Sequence, residues 1–84
     1  MNTYVITENF IKGLISTVFG IEVNVVITTD PRGLTCEVSP VKAEDKGLLI
    51  GYKGENCDAI RRLARIWGKR HNVALHVFIK FDYQ

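Results

Sequence analysis

The chain has 84 residues, room for one domain and no more, and 46% of them are hydrophobic, enough for a small core. Charged residues make up 24% and the net charge is only +2, a composition that argues against disorder. No apolar run approaches the ~20 residues that span a bilayer, and the stretch from Met1 to Glu8 is too polar for a secretory signal, so a cytoplasmic protein without a membrane segment is expected.

Glu8 to Phe19 reads as an amphipathic helix, with Phe10, Ile11, Leu14, Ile15 and Val18 recurring at three- and four-residue spacing. Thr7 is expected to cap it, Gly20 to end it in the left-handed conformation, and Gly13 to allow close packing against a neighbour. The period then changes to two. Ile21, Val23, Val25 and Ile27 point one way and Glu22, Asn24 and Thr28 the other. The turn Asp30-Pro31-Arg32-Gly33 follows, and Leu34, Cys36 and Val38 alternate with Thr35, Glu37 and Ser39 up to Pro40, which completes an antiparallel hairpin.

Ala43 to Ile50 supports a short helix with Glu44 and Asp45 in its first turn. A longer helix, Glu55 to Arg70, carries Cys57, Ile60, Leu63, Ala64 and Trp67 as its apolar stripe, and Asp58 and Arg62 stand at pairing distance in sequence. Val73 to Phe81 alternates as a last strand, with Val73, Leu75, Val77, Ile79 and Phe81 on one side and Ala74, His76, Phe78 and Lys80 on the other. The expected fold class is therefore α+β, in the order α-β-β-α-α-β, with a three-stranded sheet covered on one face by three helices.

Charge is unevenly spread along this order. Residues 1–50 carry four basic and six acidic side chains, residues 51–84 seven basic and three acidic, so the second half has the surface suited to a polyanion. Cys36 and Cys57 lack metal-ligand spacing and read as buried, reduced, small apolar residues. His71 and His76 have no partners at ligand spacing, so no metal or other cofactor is expected. Glu44 and Asp45 suit capping better than acid–base work, and neither a nucleophile–base pair nor a Walker loop is present, so the chain reads as a non-enzyme.

The most informative segment is Gly51-Tyr52-Lys53-Gly54, between the two later helices. Two glycines bracketing two residues let the backbone turn tightly and approach a ligand, and the loop feeds a helix start whose first N–H groups lack intrahelical partners. Such a start accepts an anion, and a phosphate is the usual one. Lys53 adds a charge, and Tyr52 is a candidate for stacking on a base.

The segment LLIGYKGENCDAIRRL, Leu48 to Leu63, resembles the signature of the KH domain, and the preceding helix and strand resemble its type II arrangement. Within that family the chain is similar to small bacterial KH proteins of the KhpA kind and to the KH segment of Jag (KhpB) proteins, over about Thr7 to Phe81. The resemblance implies a single KH domain over residues 1–84 that clamps the sugar–phosphate chain of about four nucleotides of single-stranded RNA, with single-stranded DNA as a related ligand. It implies Gly51, Tyr52, Lys53 and Gly54 as the clamp, with Asn56 beside it, Ile50 supporting a groove and Ile60 in its floor. Arg61, Arg62 and Arg65 would attract phosphates, and Arg32 would form an opposite jaw. Tyr52 stands where many members carry Lys or Arg, and Cys57 where a larger aliphatic is usual. The implied role is post-transcriptional regulation or RNA chaperoning with little sequence preference.

A second reading belongs to another class. Val26, His76 and Phe78 share the outer sheet face, and a contiguous apolar patch there would make the chain a docking or dimerising module, pairing with itself or another KH protein and retaining little or no RNA binding.

Overall fold

The computed structural model describes residues 2–80, so the expected place of Phe81 at the end of the last strand lies outside the described residues. Helix α1 spans Thr3–Phe19, because Asn2 supplies the first cap: its side-chain oxygen accepts the Tyr4 N–H at 2.8 Å. Gly20 ends it at φ 71°, its N–H donating to the Ser16 carbonyl. Thr7 is thus not the cap. It is fully buried, one turn before Ile11 and two before Ile15, and these three form the inward stripe. Val18 is exposed, and a Cβ at Gly13 would meet nothing within 4 Å, so neither packs as the sequence suggests.

Strands β1 (Val23–Asp30) and β2 (Gly33–Pro40) form the hairpin in the expected register, Val23 facing Pro40 and Asp30 facing Gly33. Its turn is set by Asp30, whose carboxylate accepts the Arg32 N–H at 2.8 Å. That hydrogen bond, helped by the Arg32 charge, holds the carboxyl below its ordinary value. A turn of 3₁₀-helix (Ala43–Asp45) leads into α2 (Lys46–Ile50), and α3 covers Glu55–Arg70. Strand β3 (Leu75–Ile79) starts two residues later than expected and runs parallel to β2, Cys36 facing Val77.

The sheet order β1-β2-β3 makes β2 central, and the described residues form an α+β fold of three helices and a mixed three-stranded sheet. Helix α1 packs on β1, α3 on β3, and α2 on α3 and the end of β2. Every second strand residue points into this layer, so Val23, Leu34, Cys36, Val38, Leu75 and Val77 are buried against Ile11, Ile15, Leu49, Ile60 and Ala64. The other sheet face carries exposed Val26, His76 and Phe78. On α3 the inward stripe is Cys57, Ile60, Ala64 and Gly68, while Leu63, expected inward, is exposed. Gly68 is there because α3 and the following segment touch: a Cβ would stand 2.5 Å from the Val73 carbonyl oxygen.

Candidate functional site

The junction between α2 and α3 is built by two glycines and one amide side chain. Gly51 closes α2 by donating its N–H to the Gly47 carbonyl at 2.9 Å, then takes φ 77°, ψ 175°, a region reserved for glycine. The Asn56 side chain occupies the space where a Gly51 Cβ would sit, and its Nδ2 donates to the Leu48 carbonyl at 2.7 Å. Asn56, expected beside the RNA clamp, therefore also braces the loop. Lys53 then adopts φ 53°, ψ 28°, and Gly54 follows at φ 78°, both left-handed, to swing the chain into α3.

The four N–H groups of the loop divide into two pairs. Gly51 and Gly54 spend theirs on Gly47 and Gly51 carbonyls. Among the described residues, those of Tyr52 and Lys53 have no partner. Two of the four loop amides are thus open, because the tight turn itself consumes the others. A helical residue followed by a left-handed one is the backbone of an anion nest. Tyr52 is 76% exposed, and the Lys53 ammonium lies 5.4 Å from its ring centroid, so both side chains stand in solvent at the loop tip.

Arginines downstream have different duties. Arg61 donates from Nε to the Val77 carbonyl at 3.1 Å, a group on the free edge of β3, and pairs with Asp58 at 3.3 Å. The expected Asp58–Arg62 pair is replaced by this one, since Arg61 is drawn to the strand side of α3. Arg62 and Arg65 are exposed, with no carboxylate partner among the described residues. Arg61 and Arg65 line a shallow groove of about 220 Å³ between α3 and β3, shared with Leu75, His76, Val77 and Phe78. Ile50 is half-buried beside the loop. Ile60 is 1% exposed and belongs to the core, so it offers no groove floor. Arg32 sits at the hairpin tip, where Gly33 and Leu34 meet Ala74 beyond the C-terminal end of α3. The 16-residue helix, about 24 Å long, separates that end from the loop, so Arg32 is no opposing jaw.

The outer sheet face is not one apolar patch. Glu37 stands between Val26 and Phe78 in the same row and pairs with Lys80 at 3.8 Å. One cluster escaped the sequence reading: Trp67 is stacked between Phe10 at 4.7 Å and His71 at 4.2 Å, and His71 Nδ1 hydrogen-bonds the Trp67 carbonyl. The signal was the four-residue spacing of Trp67 and His71 across the helix end.

Both cysteines are buried and free of disulfides. Burial raises the Cys36 thiol to about 11, and raises Cys57 more gently, with Arg61 opposing the shift and Asp58 adding to it. Among the described residues no three His, Cys, Asp or Glu side chains gather to hold a metal ion, and no helix is long and apolar enough to cross a membrane. What the arrangement can do is hold an anion at Tyr52–Lys53 and extend cationic attraction along α3. Compared with family models, curated proteins and solved structures, the chain matches none.

Proposed function

We propose that the chain is a non-catalytic, single-stranded RNA-binding module of the type II KH arrangement, gripping the phosphate backbone at Gly51–Gly54 with little sequence preference. The observation that carries this reading is the loop itself. Two N–H groups without a partner among the described residues, at Tyr52 and Lys53, stand at the entrance to a 16-residue helix with the Lys53 charge at the same point. The order α-β-β-α-α-β is the one the KH resemblance implies, and the α3–β3 groove with Arg61 and Arg65 lies two to three turns further along the helix that the loop begins. Ile50, Gly54, Arg61 and Arg62 complete the surroundings of the clamp.

A module with roughly three phosphate contacts has a log affinity versus log salt slope near −2, at about −0.7 per contact for single strands. The test is an NMR titration with oligouridylate, with oligodeoxythymidylate as the companion that separates RNA from DNA. Shifts confined to residues 50–65 support the reading. A folded Tyr52→Asp, Lys53→Asp double variant that binds oligouridylate as well as the parent rejects it. The docking alternative through Val26, His76 and Phe78 is disfavoured by Glu37, whose charge in the middle of that face costs desolvation on burial.

A further inference from the structure

The end of α3 carries more charge than the loop uses. Its acidic residues, Glu55 and Asp58, are confined to the start, and Asp58 is already engaged by Arg61. From Ala59 to Arg70 the helix has five cations and no acid. Four of them, Arg62, Arg65, Lys69 and Arg70, are exposed and have no carboxylate within ion-pair distance among the described residues. The helix dipole accounts for basic residues in the last turn, Lys69 and Arg70. It does not account for Arg62 and Arg65, two turns and one turn earlier. Residues 62, 65 and 69 follow the i, i+3, i+7 spacing of a single helical ridge, and the buried stripe of Cys57, Ile60, Ala64 and Gly68 places that ridge away from the core. Trp67, the aromatic residue within this stretch, is stacked between Phe10 and His71 rather than set in the ridge, so the ridge offers charge without a base-stacking platform.

From Arg62, Arg65, Lys69 and Arg70, which have no ion-pair partner among the described residues, we infer that residues 62–70 of α3, separated from the loop by Glu55 and Asp58, form a second phosphate track that holds the part of a strand lying beyond the loop. This inference rests on the reading of the loop as a nucleic-acid clamp, and it adds the substrate class: strands longer than the tetranucleotide the loop itself accommodates. Mutual repulsion of four cations on one helix is relieved when a polyanion lies along them, and counterions are released as it binds. Binding along the ridge is therefore indifferent to sequence and strongly dependent on length and salt.

The experiment compares uridine tetramer and dodecamer by fluorescence anisotropy over a salt series, with the intact chain. A dodecamer offers about nine overlapping registers to a four-nucleotide site, so an advantage of up to about ninefold is statistical. The parent should exceed that ratio. The Lys69→Gln, Arg70→Gln double variant, checked by circular dichroism for an unchanged fold, should return to it, with the dodecamer slope reduced by about 1.4 and tetramer affinity unchanged. A dodecamer affinity and slope untouched by these two substitutions overturn the track while leaving the loop reading in place. Loss of all binding in the Tyr52→Asp, Lys53→Asp variant alongside that result confirms that only the track has failed. Failure of the parent to bind either oligomer overturns the loop reading as well. Retention of the parent but not the double variant on phosphatidylserine vesicles, with RNA affinity equal in both, assigns the ridge to an anionic membrane surface and overturns the track.

Discussion

Asn56 reaches back across the α2–α3 junction and donates its side-chain amide to the Leu48 carbonyl at 2.7 Å, while its carbons fill the space a Gly51 Cβ would need. One side chain thus satisfies an open carbonyl at the end of α2 and enforces glycine at the first loop position. The shape of the loop depends on this pair more than on Gly54, whose Cβ position is open space.

Gly51→Ala is expected to destabilise the fold by about 1–3 kcal/mol, from the glycine-only backbone angles together with the clash against Asn56. For a chain of this size that is a fall of roughly 4–8 °C in melting temperature per kcal/mol. Adding Asn56→Ala removes the clash, so the double variant should cost less than the sum of the singles. Strict additivity in thermal melts would separate the two residues.

Lys53→Gly should divide stability from binding. A left-handed non-glycine residue carries about 1 kcal/mol of strain, so the glycine variant is expected to melt slightly higher. It loses the loop's charge at the same time, so oligouridylate affinity should fall. A variant that melts higher and binds equally would show that the Lys53 ammonium plays no part.

Arg61 and Arg65 line the same groove but should behave differently. Arg61→Ala strips a hydrogen bond from the Val77 carbonyl and should lower stability by about 1 kcal/mol. Arg65→Ala removes an unpaired charge, leaves stability unchanged, and should reduce the RNA salt slope by about 0.7. Chemical denaturation and salt titration of the two variants read these effects separately, and the reverse assignment would contradict the geometry.

The Cys36 thiol provides a pH test. Burial raises it from its ordinary 9.0 to about 11, so between those values the unfolded chain has released the proton and the folded chain still holds it. Its contribution to stability is fully present below pH 9.0 and declines as pH rises towards 11. Urea melts at pH 8.5 and 10.5 should show a steeper loss for the parent than for Cys36→Ala. Equal losses would show that the buried thiol is not the group responsible.

The element order and the inward faces of the strands were readable because both rest on local periodicity, and Gly51–Gly54 was readable because a turn needing positive φ is written in glycine. Features made by distant segments were not. Thr7 looks like a cap, yet the cap is Asn2 and Thr7 lies in the core, since nothing local distinguishes a capping hydroxyl from a buried one. Gly68 looks incidental until Val73 is found against it. Arg61 looks like its neighbours until β3 supplies a carbonyl. Leu63 matches the helical period, but among the described residues no element covers that side of α3.

The parallel pairing of β2 with β3 makes α2, the loop and α3 a crossover whose two ends are anchored in adjacent strands. The position of the Gly51–Gly54 loop is therefore tied to two neighbouring strands rather than one, and a displacement of either strand end reaches it through a helix.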